Sequence, residues 1–169
     1  MKARPAALKM RMAQEEDSIY LKKWLSDPEA LKGFPMLGEK EIDDAVQIWG
    51  NYNKLHSGLT ALWNGVPCGT AVLYIQSFQK LSHTCLFSII VAEDKRGLGI
   101  GFALLEDLIA LARNSFHIEI LHLEVYEGNP AIHLYKKMGF EVYGEQKNFS
   151  LEDGKYRSKV FMQKNLKQT

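Results

Sequence analysis

Only two cysteines, Cys68 and Cys85, occur in the 169 residues, and both sit in apolar, strand-like runs. A disulfide scaffold or a thiolate metal site needs more Cys or His at short spacing, so both are excluded, and no metal ligand set is expected. The two thiols read as buried, reduced, small hydrophobes. Long apolar runs are also missing: Ile89 to Val91 and Phe102 to Leu105 fall far short of a membrane span. The start, Met1-Lys2-Ala3-Arg4-Pro5, lacks the apolar core of a secretory signal. No basic stripe suggests nucleic acid, no acidic tail suggests a solvated arm, and the net charge is only +1. A cytoplasmic protein is expected, acting on neither nucleic acid nor membrane. Repeats, low-complexity segments and Pro/Ser-rich linkers are absent as well.

What is present suits one domain over residues 1–169, with 1–6 as a loose tail. Hydrophobic residues make up 46% of the chain, enough for a sizeable core. A first strand is expected over Leu8 to Met12 and a helix over Gln14 to Leu25. Ser26-Asp27-Pro28-Glu29 is a helix-start signal. After the apolar loop Gly33 to Gly38, a second helix runs from Glu39 to about His56. The period then changes to two. Leu59 to Trp63 and Cys68 to Gln76 read as strands joined at Asn64-Gly65, a tight-hairpin dipeptide, and Thr84 to Val91 as a third. Gly99 to Asn114 is an amphipathic helix, Ile120 to Tyr126 a strand, and Pro130 to Met138 a helix stopped by Gly139. Glu141 to Leu151 and Lys155 to Lys164 close a last hairpin at Asp153-Gly154. The order β-α-α-β-β-β-α-β-α-β-β implies a mixed α+β fold. Its sheet has about seven strands, mostly antiparallel, with helices on both faces.

The densest signal is Arg96-Gly97-Leu98-Gly99-Ile100-Gly101, between a strand and a helix. Glycines at a helix start are costly unless the backbone must approach something closely. Unpaired N–H groups and the positive end of the helix dipole make a cradle for an anion, most naturally a phosphate. The bland alternative is a connection that lets helix pack on strand. A P-loop requires Lys-Ser/Thr after its last glycine, but Phe102-Ala103 follows, and the spacing also misses G-x-G-x-x-G.

The run Val91 to Gly101 resembles the acetyl-CoA signature of GNAT acetyltransferases, Arg/Gln-x-x-Gly-x-Gly/Ala after a strand. Downstream, Asn129-Pro130-Ala131-Ile132-His133-Leu134-Tyr135-Lys136-Lys137-Met138-Gly139-Phe140 resembles a second block of that family. The resemblance implies an N-acetyltransferase that moves the acetyl group of acetyl-CoA to a primary amine in a ternary complex. The amine belongs to a protein N-terminus or a small molecule, and the protein is a monomer or homodimer. The alternatives are a non-catalytic acyl-CoA-binding module and a transferase of another acyl group. The resemblance assigns the pyrophosphate to the backbone of Arg96, Gly97, Leu98, Gly99, Ile100 and Gly101. The pantetheine falls to the edge of Ile89, Ile90 and Val91, and Asn129 joins the cofactor site. A bulge or splay beside Ile120 to Tyr126 is expected to free a backbone N–H for the thioester carbonyl. Tyr135 matches the family's acid, competing with a plain core role. Glu124, off the Leu121/Leu123/Val125 face, is the candidate base, resembling that of ribosomal-protein N-terminal acetyltransferases; ordered water is the alternative. His83 is a distant second. Phe34 to Leu37 could wall the acceptor pocket. Glu39, Glu41, Asp43 and Asp44 could attract a cationic amine or simply complement the helix dipole.

Overall fold

The structure is a computed structural model describing residues 4–167. Strands β1 (Leu8–Met12), β2 (Gly58–Trp63), β3 (Val66–Tyr74), β4 (Thr84–Val91), β5 (Ile120–Tyr126), β6 (Glu141–Glu152) and β7 (Lys155–Asn165) form one sheet. Its order is β1-β2-β3-β4-β5-β7-β6, and only β4 and β5 run parallel. Helices are α1 (Ser18–Leu25), α2 (Pro28–Leu31), α3 (Gly38–Asn53), α4 (Ile100–Phe116) and α5 (Ala131–Lys137). The expected mixed α+β architecture is therefore present. One element differs: the start signal at Ser26 to Glu29 opens its own short helix, α2, with the Asp27 carboxylate accepting from the Glu29 N–H. Three helices thus precede β2 where two were expected. The helix read from Gln14 starts instead as a 3₁₀ turn, Glu15–Asp17, before α1.

Both predicted hairpins close as anticipated. Asn64 and Gly65 have φ of +50° and +83°, and Asp153 and Gly154 +49° and +73°, the left-handed pair that a two-residue turn requires.

Two apolar layers sandwich the sheet. On one face α4 buries Ile100, Leu104, Leu105, Leu108 and Ala112, a stripe at helical spacing, against Ala71, Leu73, Cys85, Phe87 and Leu121. Each fully buried Leu or Ile contributes about 1.5–3 kcal/mol. On the other face α1 to α3 set Leu21, Leu25, Ile42 and Trp49 over Val72 and Ile90. These helices pack on β3, and the chain between α2 and α3 reaches β5 and β7 through the Lys32 carbonyl and Phe34 to Leu37.

Asp17 ties β1 and β2 to α1. Burial alone raises its pKa, but the Arg11 fork (2.7 and 2.8 Å), the Gln14 N–H and the Thr60 hydroxyl outweigh burial and lower it. Of the tail expected over 1–6, residues 1–3 lie outside the described residues. Arg4 is anchored, its guanidinium donating to both Asp107 oxygens at 2.9 and 2.7 Å.

Candidate active site

The parallel β4–β5 pair holds only from Thr84↔Ile120 to Leu86↔His122, although β4 runs on to Val91 and β5 to Tyr126. Beyond Leu86 the two strands part. The expected opening is thus a splay rather than a bulge, since β4 keeps an unshifted register against β3. Strand alternation decides which backbone groups face it. The Ala92 N–H donates to Cys68 of β3, so Ile90 and Ser88 also turn theirs toward β3. Ile89 and Val91 turn theirs into the gap. Ile90, expected among the cofactor-facing residues, lines the cleft with them, while its N–H faces β3 and its side chain packs in the α1–α3 layer.

At one end of the gap lies the glycine turn. Gly97 and Gly99 have φ of +76° and +81°, conformations that strain any residue with a Cβ. A Cβ built on either meets nothing within 4 Å, so these glycines are not demanded by internal packing. Gly101 differs, its added Cβ lying 3.4 Å from Leu134. Gly99 caps α4 with no side-chain hydrogen bond. Among the described residues, the N–H groups of Gly97, Gly99, Ile100, Gly101 and Phe102 donate to no protein acceptor. Open amides at the positive end of a 17-residue helix form an anion cradle. The Arg96 side chain turns back, its Nε 3.4 Å from the Val91 carbonyl.

A cleft of about 1200 Å³ runs from this turn, through the splay, to Phe34, Pro35 and Met36. Tyr135 reaches it from α5. Its ring packs edge-on against Phe87 and Phe140, both centroids at 6.1 Å. Burial pushes its phenol up to about 12, and its hydroxyl makes no hydrogen bond among the described residues. The group therefore stays protonated at neutral pH and free to donate. The Tyr135 ring is core, and the residue also lines the cleft.

Glu124 also lines the cleft and leaves the buried Leu121/Leu123/Val125 face as anticipated. Its surroundings were not legible in advance. Lys159 of β7 donates to Glu124 Oε2 at 2.6 Å. That buried ammonium sits 3.5 Å from the centroid of the Phe149 ring and 5.9 Å from that of Tyr126. Phe149 follows Asn148, at φ +55°, within an irregular stretch of β6. Among the described residues, Glu124 Oε1 has no partner. His122, on the same strand face, is held below its usual pKa by burial, with the Glu124 carboxylate opposing. It does not line the cleft.

The other sequence candidates divide between the cleft and its surroundings. His83 is exposed at the paired end of β4, its carbonyl accepting from Glu119 and Ile120, away from the cleft. Asn129 lines the cleft, but its Oδ1 accepts from the Ala131 N–H at 2.9 Å and so caps α5. Glu39 and Asp43 pair with Lys22, and Glu41 accepts from the Leu37 N–H at the start of α3. Of these four acids, only Asp44 lines the cleft without a partner among the described residues. Phe34, Pro35, Met36 and Leu37 do form a wall, facing Tyr126, Leu151 and Arg157 across a small cavity of about 40 Å³.

The same architecture recurs in known proteins. The chain is 31% identical over 105 residues to the L-amino acid N-acetyltransferase AaaT of Escherichia coli (strain K12); the match covers 62% of this chain. It spans 65% of that relative's length, just under two thirds. A ribosomal-protein-alanine N-acetyltransferase from Brucella melitensis superposes with a TM-score of 0.79 at 29% identity, covering 93% of this chain and 99% of that one. A phosphinothricin acetyltransferase from Sinorhizobium meliloti, solved in complex with AcCoA, shares the fold at TM-score 0.82 and 22% identity, over 94% of this chain and 88% of that one. Residues 14–140, spanning both the glycine turn and the α5 block, match the acetyltransferase (GNAT) family, and the chain belongs to that family.

Proposed function

We propose that the protein is a one-domain N-acetyltransferase, moving the acetyl group of acetyl-CoA to the primary amine of an acceptor bound in the same cleft. The observation that carries this reading is the row of unbonded amides from Gly97 to Phe102 at the mouth of a splayed strand pair. A diphosphate fits those amides. An extended pantetheine arm then pairs with the free backbone of Ile89 and Val91, like an added strand. That places the thioester in the gap beside Tyr135. The amine attacks the carbonyl carbon, and an N–H on the gap side of the strands steadies the oxyanion. As the tetrahedral centre collapses, Tyr135 gives its proton to the departing sulfur. Glu124 takes the proton from the ammonium through its free Oε1, with Lys159 fixing the other oxygen. The two buried, unpaired thiols suit a reducing compartment, which supports a cytosolic setting.

Titration calorimetry with CoA and acetyl-CoA, followed by thiol release across an amine panel, tests this. Binding of CoA with amine-dependent thiol release is expected. Tight CoA binding without turnover on any amine favours a sensor, and no CoA binding refutes the reading.

A further inference from the structure

Arg157 is a half-buried cation facing the cleft with no carboxylate partner among the described residues. Its Nη1 donates to the Lys32 carbonyl at 2.6 Å, and its plane lies over the Tyr126 ring, 4.7 Å from the centroid. The lysine and acids nearby do not neutralise it. Lys159 is matched by Glu124, Lys32 pairs with Glu29, and Glu152 makes no bond to Arg157. A guanidinium braced by a carbonyl and an aromatic face, with Nη2 and Nε unused, is pre-organised for a planar anion.

Its position selects the anion. Register places Glu124 opposite Phe161 and Tyr126 opposite Lys159, so Glu124, Tyr126, Lys159 and Arg157 share one sheet face. The Lys159 ammonium reaches Glu124, whereas the Arg157 guanidinium reaches Tyr126, one two-residue step away, about 7 Å along the strand. Two hydrogen bonds of about 2.8 Å plus the two covalent bonds between an α-amine and its carboxyl carbon bridge that step. The small cavity beside Arg157, walled by Phe34, Pro35, Met36 and Leu151, has room for a modest apolar side chain.

We propose that Arg157 is a specificity-determining residue that binds the carboxylate of a free, apolar α-amino acid whose amine meets Glu124. This rests on the transfer reading above and narrows its acceptor from any primary amine to a zwitterion.

The test compares L-alanine, L-valine and L-leucine with their carboxamides and with a leucine-initiated pentapeptide, in wild type, Arg157→Gln and Arg157→Lys. Wild type should prefer the free acids in kcat/KM by about 10- to 100-fold, the scale of a charge-assisted hydrogen bond. Arg157→Gln should erase that preference by raising KM for the acids, leaving KM for the carboxamides and for acetyl-CoA within about twofold; Arg157→Lys should restore part of it. Equal use of acids, carboxamides and peptide by wild type overturns the proposal, as does an equal loss on acids and carboxamides in Arg157→Gln. Amine-dependent turnover in those cases leaves the transfer reading standing. If no amine is turned over, calorimetry of CoA-loaded protein decides: heat with L-leucine that Arg157→Gln loses supports the carboxylate site, and no heat overturns it.

Discussion

The two ends of the cleft are built from different parts of the chain. At the cofactor end, contiguous backbone amides from Gly97 to Phe102 face the opening, and side chains contribute little. At the acceptor end, the Lys32 carbonyl and the side chains of Glu124, Tyr126, Arg157 and Lys159 converge from three elements or their edges. Recognition by backbone needs particular φ angles, and these leave a dense mark of glycines in one stretch of sequence. Recognition by side chains needs only a register, and a register leaves no local mark. One end of the cleft can therefore be read from sequence, while the other must be seen folded.

The largest expected effect falls at the junction of the two ends. Tyr135→Phe removes a hydroxyl that makes no hydrogen bond among the described residues, so stability should hold within ~1 kcal/mol. Turnover should fall by about a hundred- to ten-thousand-fold with acetyl-CoA affinity unchanged; parallel losses in both would return Tyr135 to a purely core role.

Gly99→Val acts on the cofactor end alone. Its positive φ costs ~1–2 kcal/mol, read by thermal melting. The added bulk, pointing into open space, should weaken CoA binding by about a hundredfold, as two or more charge-assisted hydrogen bonds are lost. Unchanged calorimetric affinity would detach the turn from the diphosphate.

Glu124→Gln acts on the other end. It should lower kcat by about a hundredfold and leave CoA affinity alone. It also strands the buried Lys159 ammonium, at a cost of ~1–2 kcal/mol given the half-exposed partner. A kcat within threefold of wild type would hand the base role to water.

The last effect, absent at neutral pH, is on stability at high pH. Burial raises the Cys68 thiol from 9.0 to about 11, the Cys85 thiol from 9.0 to about 12, and the Tyr74 and Tyr135 phenols from 10.0 to about 12. In each case the folded chain keeps a proton that the unfolded chain has already released. Stability is then full below the unfolded values and falls as pH rises from about 9 to 12. Denaturant midpoints across that window should decline; a flat profile would mean these groups are wetter than their burial implies.

Legibility from sequence followed the same divide. β1, β4 and β5 end where the alternation of Leu8 to Met12, Thr84 to Val91 and Ile120 to Tyr126 places them, because period and burial agree there. At α2 the sequence shows only a start signal, Ser26 to Glu29, because four residues carry no period of their own. Lys159 and Arg157 looked like ordinary alternating charges in a last strand. Their meaning arises only when β7 lies antiparallel to β5, more than thirty residues away in sequence, and brings them to Glu124 and Tyr126. Glu39 and Asp43, readable in sequence either as a lure for a cationic amine or as a match for the helix dipole, are both reached by Lys22 of α1.

The central claim, that open amides at the head of α4 hold a diphosphate, is best tested by following amide resonances during titration. With CoA, the Gly97, Gly99, Ile100 and Gly101 N–H signals should move strongly as they acquire charged acceptors, whereas pantetheine, which lacks the diphosphate, should leave them in place. Signals that ignore CoA, or that answer equally to pantetheine, would contradict the account.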